Sequence, residues 1–137
     1  MTVRAPARIV LDTSAYSHFR ANHGETVDVI ARAEVVMVPT IVLGELEAGC
    51  LLGRRAGENR VALGDFLAEP FVSVLPVTPD VARHYGHLFA ALRRAGTPIP
   101  TNDLWIAATT MDADAHLVTF DADFERVRGL HRTIFRT

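Results

Sequence analysis

Four short, nearly unbroken apolar runs punctuate the chain: ARIVLD (7–12), EVVMVP (34–39), FVSVLPV (71–77) and AHLVTF (115–120). Each is rich in β-branched residues and stops at a proline or an acid, which predicts a short buried strand. LHRTIFR (130–136) predicts a weaker fifth strand. Between the runs the apolar positions recur at helical spacing. TSAYSHFRAN predicts a turn or two of helix ending near Asn22-His23-Gly24, and ETVDVIARA (25–33) a helix on Val27, Ile30 and Ala31. TIVLGELEAGCLLG (40–53) predicts a helix with Thr40 as its cap and Gly53 as its stop, and GENRVALGDFLAE (57–69) one that ends before Pro70. TPDVARHYGHLFAALRRAG (78–96) carries the full set of end signals: a Thr78 cap, Pro79 at the first helical position, Asp80 behind it, and Arg93-Arg94 ahead of Gly96. After Pro98 and Pro100, a further helix spans about 102–113, capped by Thr101 or Asn102. DADFERV starts a short helix after the fourth strand.

Continuous apolar strands alternating with helices predict a parallel sheet covered on both faces. There is no repeat, linker or low-complexity tract, so the expectation is one α/β domain over residues 1–137. That length suffices to bury about two-thirds of the unfolded surface.

Composition narrows the chemistry. The longest apolar runs fall far short of the roughly 20 residues that a membrane span needs, and MTVRAPARIVLD reaches an acid too soon for a signal peptide. Cys50 is the single cysteine, so no intrachain disulfide or cysteine metal cluster can form, and a cytoplasmic setting is expected. The net charge of −2 carries no global basic signature, although a local basic rim can suffice for nucleic acid. All 14 basic residues are arginine. A mechanism that requires a lysine is therefore excluded.

In open parallel sheets, ligands bind beyond the carboxyl ends of the strands. Asp12 ends the first strand, Asp121 and Asp123 follow the fourth, and Asp103 opens the helix leading into that fourth strand. Glu45 lies inside the apolar run IVLGEL, in the first turns of the helix after strand two. Each acid also has a local role open to it. Asp12 could cap the next helix, Asp103 could be a first-turn acid favoured by the helix dipole, and Asp121 or Asp123 could cap DFERV. Glu47 fits the solvent face of its helix better than Glu45 does. Four acids converging on one edge would repel one another unless protons or a cation were taken up. Carboxylate oxygens are hard ligands suited to Mg²⁺ or Mn²⁺, whose natural chemistry here is hydrolysis of a phosphate ester.

Taken together, IVLDTSAY (9–16), VPTIVLGELEAG (38–49), IPTNDLWIAAT (99–109) and LVTFDADFERVRGL (117–130) resemble the PIN domain, and within it the VapC-type toxin ribonucleases. They occur in the family's order and span nearly the whole chain. The resemblance implies a three-layer α/β/α sandwich and an Mg²⁺-dependent endoribonuclease acting on RNA. The family's first acid falls on Asp12, its helical glutamate on Glu45 and its helix-entry aspartate on Asp103. The last acid falls on Asp121, with Asp123 as the second candidate. Asp12 and Asp103 are the expected direct metal ligands, and Glu45 and Asp121 complete the site directly or through water. Thr13, Ser14 and Thr119 match the small polar positions beside the acids. The resemblance also implies a VapB-type antitoxin, whose tail blocks the cleft, and a homodimer. An apolar face on the helix at 57–69 or 78–95 could serve that dimer or belong to the core.

Two other readings compete. One is a non-catalytic PIN-like module that binds RNA or protein. The other is an Mg²⁺-dependent phosphotransfer or phosphatase domain; receiver domains and haloacid-dehalogenase-like phosphatases share the layout loosely but rely on a lysine, and LDTSAY has no second aspartate two residues on. The arginines available to RNA are Arg54, Arg55 and Arg60, Arg93 and Arg94, and Arg126, Arg128 and Arg132. For each group a solvated helix end is the simpler role. His84 and His87 share a helix face but no acid is expected beside them. Trp105 is expected to pack, and Cys50 to be a buried small hydrophobe.

Overall fold

The computed structural model describes residues 5–136. Residues 1–4, which open the MTVRAPARIVLD stretch expected not to be a signal peptide, and residue 137 lie outside that range. The elements in chain order are β1 (Arg8–Leu11), α1 (Thr13–Arg20), α2 (Gly24–Arg32), β2 (Val35–Pro39), α3 (Thr40–Leu52), α4 (Ala56–Leu67), β3 (Val72–Leu75), α5 (Pro79–Ala95), α6 (Thr101–Asp112), β4 (His116–Thr119), a 3₁₀ turn (Ala122–Arg126) and β5 (Arg132–Ile134). Every predicted strand and helix is present, and the short helix after β4 takes the tighter 3₁₀ form.

The strands form one parallel five-stranded sheet in the order β3-β2-β1-β4-β5. From β1 the chain steps outward to β2 and β3, then returns past β2 and β1 to β4. Right-handed crossovers therefore place the helices on opposite faces of the sheet, giving the three-layer α/β/α sandwich. Ile9, Val10, Leu11, Leu117 and Val118 have no solvent exposure, which is why β1 and β4 read as unbroken apolar runs. The strand order reverses between β1 and β4, and ligands of open parallel sheets bind at such a switch point.

Helix α5 starts and stops as predicted: Thr78 Oγ1 accepts the Val81 N–H at 3.2 Å, and Gly96 adopts φ 73°, the left-handed conformation that ends a helix at low cost. The caps expected at Thr40 and at Thr101 or Asn102 are not formed. Pro39 and Pro100 occupy those N-cap positions with extended backbone, and no side chain caps either helix. Proline fixes φ near the helical value and the chain turns helical on the next residue, so each threonine is already inside the helix. Thr40 instead donates its hydroxyl to the Leu75 carbonyl at 2.7 Å, tying α3 to the end of β3.

Among the described residues no helix is long and apolar enough to cross a membrane.

Candidate active site

Asp12 stands where β1 becomes α1. Its backbone is extended, and its Oδ1 accepts the Ala15 N–H at 2.8 Å, so it does cap the helix. The cap does not exhaust it. Ser14 Oγ donates to Oδ1 at 2.7 Å, and Thr119 Oγ1, from the end of β4, donates to Oδ2 at 2.5 Å. The residue is only 5% exposed. That burial lifts its pKa above the usual carboxylate range; the three hydrogen bonds oppose the rise and the charge of Asp121 adds to it.

Thr119 connects this carboxylate to the next. Its Oγ1 accepts the Asp121 N–H at 3.0 Å, and Asp121 Oδ1 accepts the Asp123 N–H at 2.9 Å, capping the 3₁₀ turn. The turn brings both aspartates of the DAD stretch round to Asp103, in the first turn of α6. Asp103, Asp121 and Asp123 each present an oxygen within 4.8 Å of the others. The cost of that crowding is visible at Asp103. Its pKa is raised from 3.8 to about 7, first by burial, then by the Asp121 charge, a carboxyl–carboxyl hydrogen bond with Asp121, and the charges of Asp12 and Asp123. Asp12 thus acts on the group electrostatically while its own oxygens are held by Ser14, Ala15 and Thr119.

Glu45 is not among the three acids that crowd together; it is held on another element. Thr13 Oγ1 donates to Glu45 Oε1 at 2.8 Å, linking the first residue of α1 to the second turn of α3. Both residues line a cleft of ≈ 340 Å³ between α1, α3 and α4, which also exposes Arg20 and Asn59. Glu47, two residues on, pairs with Arg60 at 2.7 Å toward solvent, as its helix position predicts. Among the described residues no buried side-chain polar atom lacks a hydrogen-bond partner. Ser14, Thr119 and Asp12 are each hydrogen-bonded to one another or to the backbone, which holds their side chains in place.

Some residues have roles that the chain order concealed. Arg126 bridges two segments: its Nη1 donates to the Pro98 carbonyl at 3.1 Å and lies 3.6 Å from Asp123 Oδ1. It secures the loop that enters α6 to the turn that carries Asp123. Arg132 is spent on the backbone carbonyls of Glu125, Val127 and Leu130. Arg93 and Arg94 occupy the last turn of α5, and Arg55 pairs weakly with Glu58. His84 has an acid beside it after all, since Asp112 of α6 lies 3.6 Å from its Nε2. That contact crosses between helices far apart in sequence. Trp105 packs, stacked on Tyr85 with ring centroids 4.0 Å apart, and Cys50 is buried.

Fold and site together define a parallel α/β/α domain with a dense carboxylate group at its switch point. The PIN domain profile matches residues 9–130, and the chain belongs to the PIN domain family. It is 30% identical to Ribonuclease VapC5 of Mycobacterium tuberculosis over 124 residues, covering 90% of each chain. To Ribonuclease VapC1 of Haemophilus influenzae (strain R2866) it is 29% identical over 126 residues, 88% of this chain and 92% of that one. Among solved structures it is similar to VapBC-5 from Mycobacterium tuberculosis, a member of the VapBC family of toxin–antitoxin systems. That match has a TM-score of 0.74 and 31% identity over 96% of this chain and all of the other. It is also similar to VapBC2 from Rickettsia felis bound to a DNA fragment from its promoter, with a TM-score of 0.81 and 25% identity over 92% and 97% of the two chains.

Proposed function

We propose that the protein is a VapC-type toxin, a divalent-cation-dependent endoribonuclease that a VapB-type antitoxin holds in check. The observation that carries this reading is the gathering of Asp103, Asp121 and Asp123 within 4.8 Å, with Asp12 coupled to them. Among the described residues, the contact from Arg126 to Asp123 is the only ion pair that any of the five candidate acids makes. Carboxylates so close and so little compensated fit a hard divalent cation, Mg²⁺ or Mn²⁺. Asp12 and Asp103 would hold it directly, with Glu45 and Asp121 completing the site directly or through water and Asp123 as the second candidate for the last acid. When bound, the ion would supply Lewis acidity for water and for the scissile phosphate.

The chain's own side chains do the orienting. Ser14, Ala15 and Thr119 fix both Asp12 oxygens, and Thr13 fixes Glu45, so these acids need little reorganisation when charge develops. Arg20 stands in the adjoining cleft as a cation for an RNA phosphate. Because water and not a ribose hydroxyl attacks, the products carry 5′-phosphate and 3′-hydroxyl ends. The antitoxin's tail would occupy the cleft, and the exposed Leu51, Leu52 and Val61 around the α3–α4 junction offer it apolar contact. The chain acts as a single domain and pairs as a homodimer.

The test is cleavage of total cellular RNA by the purified chain with Mg²⁺, with excess EDTA, and after Asp12→Asn or Asp103→Asn. Cleavage should require Mg²⁺ and fail in both variants while their circular dichroism stays native. Undiminished cleavage in EDTA or by either variant overturns the assignment.

A further inference from the structure

The segment that delivers Asp121 is fastened to α1 through the residue between Thr119 and Asp121. The Phe120 N–H donates to Ser14 Oγ at 3.0 Å. Its ring lies face to face on the imidazole of His18, with centroids 3.6 Å apart and planes 12° from parallel. His18 follows Ser14 by four residues, so the two share one face of α1. His18 Nδ1 is 2.9 Å from the Ser14 carbonyl, which can only accept, so Nδ1 carries the hydrogen and the ring is held in place. His23 meets the Phe120 ring edge-on at 5.1 Å and Phe135 approaches at 5.6 Å, closing its other sides. Ser14 is the common point: it donates to Asp12, accepts from Phe120 and anchors His18.

We propose that His18 is a positioning residue, whose stack on Phe120 locks the Thr119–Asp121 segment against α1 and so sets Asp121 opposite Asp103. This rests on reading the acid group as a divalent-cation site. The backbone from Thr119 to Asp121 turns out of β4, held by the Thr119 hydroxyl on the Asp121 N–H and by Ser14 on the Phe120 N–H. The Phe120 ring, stacked on His18 of α1, adds a restraint through its side chain. His18 acts through Phe120 and does not take part in the chemistry.

The experiment uses the full chain as His18→Ala, which removes the stack, and His18→Phe, which restores an aromatic face without the Nδ1 bond. Amide hydrogen exchange is read in the metal-free protein, and Mn²⁺ binding is read by calorimetry. His18→Ala should speed exchange at Phe120 and Asp121 at least tenfold while the α5 amides are unchanged. It should weaken Mn²⁺ binding by about two- to tenfold, the ordinary worth of one aromatic stack. His18→Phe should bring both within about twofold of the native protein, on the same scale. Unchanged exchange at Phe120 and Asp121, faster exchange spread evenly over the chain, or failure of His18→Phe to restore either value overturns the proposal. A native protein that binds no Mn²⁺ overturns the reading of the acid group instead, and the exchange comparison still decides the role of His18.

Discussion

Asp103→Asn should make the metal-free protein more stable while removing its activity. Asp103 is held near 7 instead of 3.8 by burial and by the charges of Asp121, Asp12 and Asp123. Unscreened, that difference corresponds to about 4 kcal/mol of disfavour for the ionised form. The residue is partly open to solvent, and screening reduces the usable figure to about 1–2 kcal/mol. The sign follows from proton linkage. Between about 4 and 7 the folded chain holds a proton at Asp103 that the unfolded chain has released, so stability falls as pH rises through that window. An asparagine keeps the shape without the charge and escapes the loss. In EDTA at pH 8, Asp103→Asn should melt roughly 3–8 °C higher than the native chain, and the gap should close toward pH 4. Differential scanning calorimetry at the two pH values, with and without Mg²⁺, reads all of this. A lower melting temperature for the variant at pH 8 in EDTA, or an equal gain at both pH values, would refute the electrostatic reasoning.

The same proton competes with a cation, so Mn²⁺ affinity measured by calorimetry should fall as pH drops below about 7, with about half a proton released per ion bound at that pH and the number rising toward one as pH falls. Thr119→Val leaves Asp12 Oδ2 and the Asp121 N–H each without its hydroxyl partner, so chemical denaturation should show a loss of about 1–3 kcal/mol and cleavage should fall at least about tenfold. Phe124 is fully buried within the turn that carries Asp123, and Phe124→Ala should cost about 3–5 kcal/mol in urea unfolding.

The strands were legible because a parallel sheet buries both of its faces, leaving no polar alternation to confuse the apolar runs at β1, β2 and β4. Helix α5 was legible because its end signals are local: Thr78, Pro79 and Gly96 act on their own turns. The starts of α3 and α6 differ from the sequence expectation by a single residue, since a threonine after a proline resembles a cap and only backbone geometry shows that the proline holds the position. Asp12 and Asp103 were each ambiguous alone, and Asp12 in fact caps its helix while lending its charge to the acid group. Which aspartate of the DAD stretch approaches Asp103 depends on the 3₁₀ turn, which brings in both Asp121 and Asp123. Contacts such as His18 with Phe120, Arg126 with Pro98 and His84 with Asp112 join separate segments, and no local pattern announces them. The four-residue spacing of Ser14 and His18 was the one hint available for the first.

Diffraction from crystals soaked in Mn²⁺, collected for anomalous scattering, asks directly whether these acids gather one divalent ion. A peak bounded by Asp12, Asp103 and Asp121, lost in Asp103→Asn crystals treated alike, is the predicted result. Density for manganese elsewhere on the chain, or none at millimolar Mn²⁺ above pH 7, would contradict it.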